Sequence, residues 1–513
     1  MSYCNLLKFD SYFLILLSFG LLFGSCSEST LVYSVETKLN PHSISPLTAI
    51  FVIEGDQPFR AATKVLGATE ISHSSEELSN NLEIPVLGLY PGVLNKVLLT
   101  LTYDKGTITD TISIATDPLP EYFPKIEINK IDRTKMEPGL HLCDMHYANN
   151  GTFESRPFIF DDQGEVRWYL NLDFFKEIIW PIQRLKNGRL LVAGLNEIHE
   201  YNMLGKLIRK SVIDEKYRIH HDIVELPSGE LLMAVRKDGA TIKVDGKEIP
   251  SINDFIISYN LETSQITKEW DLAKNLDVSR FDLNHTIKSD WLHMNGLAFD
   301  QRDSTVIVSG KNQGLIKISW DDELKWIMAP KKNWGRSGRD GKGFDTVAFL
   351  LTAIDSEGKP FSKEVQLGNE SAADFDFPWG QHAPEVLSNG NIILFDNGWS
   401  RNYKTQITYS RAAEYKVNEE DKTVSQIWQY GKERGNEVFS LLISDVDYLP
   451  KTKNILVTPG FVANYGKIIE VTYPEGKEVF EATLYFKTLK GTKAFAWGQL
   501  DIMYRSERFE LEY

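Results

Sequence analysis

A unit of four short apolar strands recurs from about residue 135 onward, its first two strands joined by Asn-Gly or Ser-Gly turns, and helix-period stretches are scarce. These observations predict an all-β chain: a six-bladed β-propeller over residues 121–513, a small N-terminal β-sandwich over 26–120, and a signal peptide over 1–25.

The first segment stands apart from the fold. Lys8 precedes an apolar stretch, Tyr12–Phe23, which runs into Gly24-Ser25-Cys26. A charged start, a short apolar core and small residues before a cut site mark an export signal. The stretch is too short to span a bilayer comfortably. Cysteine directly after Gly-Ser resembles a bacterial lipobox, with Cys26 the lipidated first residue and Ser27, Glu28 and Ser29 the start of a tether. The alternative is an ordinary secretory peptide cut near Cys26, and Asp10 suits neither reading well. The expectation is an exported protein, anchored to the cell envelope on its periplasmic side or at the outer-membrane surface.

Only Cys4, Cys26 and Cys143 occur. Cys4 leaves with the signal and Cys26 carries lipid, so Cys143 has no disulfide partner despite export. It reads as a small buried hydrophobe. The formal net charge of −15 argues against nucleic acid as a partner, because phosphate binding wants a concentrated basic surface.

Residues 30 to about 120 hold short alternating segments such as Leu47–Ile53 and Val97–Tyr103. Glu54-Gly55-Asp56 and Asp104-Lys105-Gly106 separate them as turns, the pattern of an antiparallel sandwich. Asp117-Pro118-Leu119-Pro120 reads as a linker.

The repeat proper is clearest in Ile182–Ala193, Ile223–Ala234 and Glu385–Phe395, which turn at Asn187-Gly188, Ser228-Gly229 and Asn389-Gly390. Such dipeptides between apolar runs are strong hairpin signals. Asp447–Val457 and the looser Gly296–Val308 are further copies. A third strand follows each: Ile198–Tyr201, Phe255–Tyr259, Gly314–Ile318, Ala412–Tyr415 and Lys467–Val471. A fourth often carries tryptophan, at Trp168, Trp270, Trp326 and Trp428. Phe158–Trp168 supplies a partial first unit and brings the count to six; the main insertion is 331–378. A quinone-cofactor propeller would show a regular tryptophan docking pattern, which the sequence does not display.

The repeat aligns residues by register. His221 and His382 each lie eight residues before a turn glycine, Gly229 and Gly390, as Trp180 does before Gly188. Ser444 takes that place when Leu449-Pro450 is matched to Leu226-Pro227, and His293 takes it in the looser unit. The first strand of each blade lines the central channel, so His221, His293 and His382 should converge at one mouth, with His220 and Asn295 beside them. Any one histidine alone reads as a satisfied core or surface residue. Three of ten in one register argue for a site. Asp222 and Asp396 are candidates to orient the imidazoles, although Asp396-Asn397-Gly398 equally reads as turn chemistry. Lys311 and Arg411, near the ends of adjacent strands, add positive charge; each equally reads as a solvated surface charge.

Clustered imidazoles serve two chemistries. One is metal ligation, which the absence of a carboxylate in the register weakens for a hard ion. The other is attack by one imidazole while its neighbours donate hydrogen bonds to an anion, with no metal or cofactor.

Five motifs in order, His220-His221-Asp222-Ile223, Asp290-Trp291-Leu292-His293-Met294-Asn295, Gln381-His382-Ala383, Phe395-Asp396-Asn397-Gly398 and Ser410-Arg411-Ala412-Ala413-Glu414-Tyr415, resemble those of the bacterial arylsulfotransferases. Gly88-Leu89-Tyr90-Pro91-Gly92 resembles that family's small N-terminal β-domain. The resemblance covers nearly the whole mature chain and rests on order and spacing. It implies a six-bladed propeller that moves a sulfuryl group from a phenolic sulfate ester to another phenol, with no nucleotide donor, metal or cofactor. It implies ping-pong transfer through a histidine, by motif His382. The supporting residues fall on His220, His221, His293, Asn295 and Lys311, with Arg411 a further substrate-binding candidate. His293 or His221 would protonate the leaving phenolate. A homodimer is left open.

Two departures stand out. The family usually carries arginine where this chain has Lys311, which keeps the charge but loses the bidentate fork. The disulfide of well-known members cannot form here. The alternatives are a metal-dependent hydrolase or lyase using the same histidines, and a non-catalytic binding propeller.

Overall fold

The computed structural model describes residues 30–149, 152–172, 182–280, 287–487 and 499–511. The signal segment with Cys26, and Trp180 of the register, lie outside the described residues.

The N-terminal sheet is organised by one long strand, Thr48–Val65. Its first half pairs with Tyr33–Leu39 and Ser79–Leu87; its second half pairs with Leu94–Tyr103 and Ile71–Ser74. The register breaks between Glu54 and Phe59. Glu54-Gly55-Asp56, read as a turn, is instead an irregularity inside this continuous strand. A break of this kind bends a strand, and the sheet folds over Phe51, Ile53, Phe59, Leu99 and Leu101. Alternating burial along Val97–Leu101 follows from the period-two geometry of a strand with one face on a core.

Six further sheets of four or five strands follow among the described residues. The second runs outward from Ile182–Arg184 through Leu190–Gly194 and Glu197–Tyr201 to Leu207–Val212. The third starts with Tyr217–Glu225 and ends with Gln265–Asp271; the fourth spans Met294–Asp300 to Leu324–Met328; the fifth has His382–Val386 innermost and Thr423–Tyr430 further out. Their strands pair antiparallel, except that Thr352–Ala353 joins the fifth sheet parallel to its Thr423–Tyr430 strand, and the innermost strands of the third, fourth, fifth, sixth and first sheets pack beside one another in turn, which is propeller architecture.

Both ends of the chain close the ring. Lys125–Ile131 adds an outer strand to the sixth sheet, beside Glu478–Tyr485. Ile502–Phe509 becomes the innermost strand of the first sheet, beside Leu140–Asn149. The partial first unit read at Phe158–Trp168 is thus completed from the far end of the sequence. Closure of this kind removes an open edge that would otherwise present unpaired backbone groups.

The four expected tryptophans sit on outer strands, and each indole N–H reaches the next sheet. Trp168 donates to Met203 O at 2.7 Å, Trp270 to Ser319 O at 3.3 Å, Trp326 to Glu419 Oε1 at 3.1 Å and Trp428 to Pro474 O at 2.9 Å. A blade-to-blade docking pattern is therefore present that sequence spacing did not reveal. Acceptors supplied by another sheet leave no local signature. Arg167, fully buried, ties the first sheet to the N-terminal domain: its guanidinium donates to Gly88 O and Thr69 O, pairs with Asp161 at 2.8 Å, and lies 3.7 Å over the Tyr90 ring. Gly88 has φ +78°, and a Cβ there would meet Ile71 Cδ1 at 2.2 Å, so the Gly88–Gly92 motif has a packing reason. One hydrophobic cluster runs from Phe51 and Leu99 into Phe158, Phe160, Leu456 and Phe480 of the first and sixth sheets. Cys143 is buried within it as a free thiol.

Candidate active site

The site begins with backbone irregularity at one height of the channel. His221, His293, Ala383 and Ser444, on four consecutive innermost segments, have φ of 53°, 49°, 48° and 93°. None is glycine, and the left-handed region costs an ordinary residue about 1–2 kcal/mol. Ladder registers break at the same places: between Ile219 and Ile223, Met294 and Gly296, and His382 and Glu385. Bulges re-aim side chains beside active sites. In the fifth sheet the left-handed residue follows the histidine, so the register holds in height but not residue for residue.

These irregularities bring the histidines together. The His221 ring lies edge-on to His293 and to His220, each at 5.1 Å between centroids. The Nδ1 atoms of His220 and His221 are 2.9 Å apart, so one carries hydrogen and the other accepts it. Burial pushes His220 down to about 4 and His221 well below its usual value, where the charges of His293, His220, His382 and Lys311 also act on it. The four histidines and Lys311 form one electrostatic cluster.

His382 is 5% exposed and sits deepest. Its Nδ1 lies 2.8 Å from Asn397 Oδ1 and 3.1 Å from Gly380 O. Asn397 has no freedom to flip, because its amide nitrogen donates to Ser440 O and Ile443 O at 2.9 Å each. Its oxygen must therefore face the ring. Nδ1 must carry the hydrogen, and Nε2 keeps its lone pair. Burial, opposed by the Asn397 hydrogen bond and aided by Lys311 and His293, pushes His382 down to about 3. The ring is neutral at physiological pH.

His293 is held differently. Its Nδ1 pairs with Asp290 Oδ2, whose other oxygen accepts from Asn253 at 2.9 Å. Burial raises the Asp290 carboxyl, but the hydrogen bond and charge of His293 outweigh it, and the group stays below the usual carboxylate range. Lys311 N–H donates to His293 O at 3.1 Å. Burial lowers the Lys311 ammonium, with Asp290 opposing, and among the described residues it has no hydrogen-bond or ion-pair partner. A half-buried cation of this kind has the charge and donors to receive an anionic group.

Two expected substrate contacts are engaged by protein groups. Asn295 donates to Gln381 O at 2.8 Å and accepts from Ser309 Oγ at 2.8 Å, so it anchors the residue before His382. Arg411 makes five hydrogen bonds, to Asp396, Gln426, Gln429, Asp376 O and Tyr415, at 2.6–3.0 Å. These use all five guanidinium donors, and Arg411 is a structural clamp. The expected orienting aspartates are committed as well. Asp396 pairs with Arg401 and Arg411; Asp222 pairs with Arg505 at 2.9 Å and accepts from Leu297 N. The orienting groups are Asn397 and Asp290, both inside quoted motifs, and the Asp-x-x-His spacing of Asp290 was a usable signal. Arg505, whose Nη2 approaches His221 O at 3.4 Å, comes from the closing C-terminal strand and left no such signal.

Toward the turns, a cavity of about 610 Å³ is lined by Asp222, Glu385, Asp445, Asp447 and Glu507, by the cations Arg184, Lys186, Lys451, Arg505 and Arg508, and by none of the histidines. Burial there pushes Glu385 up to about 7 and Asp445 upward. Among the described residues no three His, Cys, Asp or Glu side chains converge in a geometry that would hold a metal ion.

Fold and site together define a propeller whose channel gathers four histidines and a lysine. Two family models match the chain: arylsulfotransferase (ASST) over residues 125–494, and arylsulfotransferase Ig-like domain over residues 36–117. The chain belongs to the arylsulfotransferase family and is an aryl-sulfate sulfotransferase. It is 26% identical to arylsulfate sulfotransferase AssT of Escherichia coli O6:H1 over 86% of this chain and 88% of that one. It is likewise 26% identical to AssT of Lelliottia amnigena, over 85% and 87%. Among solved structures, the periplasmic gluconolactonase PpgL of Pseudomonas aeruginosa is similar at TM-score 0.31 and 10% identity, covering 83% of this chain and 96% of its own. The gluconolactonase XC5397 of Xanthomonas campestris gives 0.32 and 12%, covering 72% and 98%.

Proposed function

We propose that the enzyme works by ping-pong transfer through a sulfohistidine at His382, taking the sulfuryl group from a phenolic sulfate ester and passing it to a second phenol. The observation that carries this reading is the Asn397 amide, anchored so that His382 Nε2 keeps a lone pair. In the first half-reaction Nε2 attacks sulfur in line and the S–O bond to the phenol breaks. Phenols ionise near 10, as tyrosine does, so the departing oxygen gains from a proton. Lys311 holds sulfuryl oxygens, as cations hold the transferred group in phosphoryl transfer. In the second half-reaction an acceptor phenol returns a proton to the histidine that protonated the first phenol as its oxygen attacks sulfur, and the S–Nε2 bond breaks.

The test is peptide mass spectrometry after donor treatment without acceptor. The peptide containing His382 is expected to gain about 80 Da, the mass of SO₃ on a covalent nucleophile. A label on His221 or His293, or single inversion of configuration at sulfur over a full turnover, would overturn the reading.

We infer further that the chain is exported and anchored through lipid on Cys26, from the segment Gly24-Ser25-Cys26 after a short apolar run. No helix among the described residues is long and apolar enough to cross a membrane. Cys26→Ala is expected to move the protein from the membrane to the soluble fraction. Unchanged fractionation would count against the anchor.

A further inference from the structure

Resting on that reading, we propose that Asp290 and Asn397 act as positioning residues that divide protons between the two histidines of the reaction: Asn397 keeps His382 a neutral nucleophile, and Asp290 equips His293 as the proton donor to the leaving phenol. The two histidines are gripped at the same ring atom, Nδ1, by groups of opposite character. His382 meets a neutral amide and a backbone carbonyl; His293 meets a carboxylate. Both grips leave Nε2 as the reactive atom. Pairs of groups whose surroundings push their protonation apart mark acid and nucleophile roles.

The motif resemblance left His221 and His293 as alternative proton donors, and the contacts separate them. His221 Nδ1 faces His220 Nδ1, and burial pushes its affinity for a proton far down. His293 Nδ1 instead meets the Asp290 carboxylate through Oδ2, and the second Asp290 oxygen is engaged by Asn253. The charged and titratable groups facing His293 are Asp290, His220, His221, His382 and Lys311; those facing His382 are Lys311, His293 and His221.

The proton balance closes. Neutral His382, a monoanionic aryl sulfate and a protonated His293 become an Nε2-sulfonated imidazolium, a neutral phenol and a neutral His293. The sulfonated ring keeps hydrogen on Nδ1, held by Asn397 Oδ1, an acceptor that cannot remove it. A positively charged ring leaves sulfur far more readily than a neutral one. Asparagine at 397 therefore serves both half-reactions, whereas aspartate would take that proton from the sulfonated ring, which is a stronger acid than the free imidazolium, and strand the intermediate.

Two variants read the two roles. Asp290→Asn is expected to lose about 10²–10⁴-fold in the sulfuration rate with phenyl sulfate, the scale of one general acid. It should lose far less with 4-nitrophenyl sulfate, whose leaving group needs little proton help. Asn397→Asp puts an anion on His382 Nδ1. That favours the charged ring, so the acid-side fall in sulfuration rate should move to higher pH than in the wild type. The same variant should retain its 80 Da adduct longer when phenol is added. If Asp290→Asn fails to fold, judged by circular dichroism, His293→Gln carries the same leaving-group expectation. Equal losses across leaving groups, together with an unshifted acid limb and normal adduct decay in Asn397→Asp, would overturn this inference alone. Absence of any adduct on the wild type would overturn the underlying mechanism, and this inference with it.

Discussion

His382→Ala yields a folded protein that releases no burst of phenol and takes up no sulfuryl group. The expectation follows from the difference between a nucleophile and its helpers. A covalent intermediate needs an atom to hold the group, and the methyl of alanine offers none. Losing a helper leaves the route open but slower. His221→Ala should therefore still show an adduct, formed more slowly. The variant should stay folded because the loss is local: one partly apolar ring goes, and Asn397 Oδ1 is orphaned at a cost of about 1–3 kcal/mol. Rapid-quench measurement of phenol release over the first turnover checks the prediction. A stoichiometric burst in His382→Ala would move the nucleophile elsewhere.

Lys311→Ala should cost about 10²–10³ in kcat/KM, the scale for losing one preorganised donor to a developing charge. A surface lysine would be worth little, because solvent screens it. Lys311 is instead half-buried within the histidine cluster, with no partner among the described residues, so solvent screens it less. Lys311→Arg should retain or exceed wild-type activity, since the guanidinium keeps the charge and adds a fork suited to two sulfuryl oxygens. Steady-state rates on a chromogenic aryl sulfate decide it. Wild-type kcat/KM in the alanine variant would place Lys311 outside the reaction.

Reading the sequence went furthest where structure is local. Asn187-Gly188, Ser228-Gly229 and Asn389-Gly390 sit at hairpin turns between strands of one sheet because the turn demands those residues within a few positions. Counting from those turns placed His221 and His382 at one channel height, since strands rise by a constant step. Failures came where one side chain's meaning depends on a distant partner. Arg411 looked like a free cation, yet its five donors meet residues scattered from Asp376 to Gln429. Glu54-Gly55-Asp56 looked like a turn because its composition fits one, but pairing resumes beyond it and the strand continues.

By itself, then, the sequence determined the strand-and-turn repeat, the tryptophans of the outer strands and the company of histidines, all set by contacts or spacings within single hairpins. The tertiary structure alone decided which ring nitrogen of His382 carries its hydrogen. His382 lies opposite Phe395 in the ladder, which carries Asn397 to its ring, and backbone carbonyls of Ser440 and Ile443 then forbid the amide to turn over. Hydrogen-bond polarity passes through that chain of contacts between two sheets. No local pattern encodes it, because each link is a choice between donor and acceptor made only when the sheets meet.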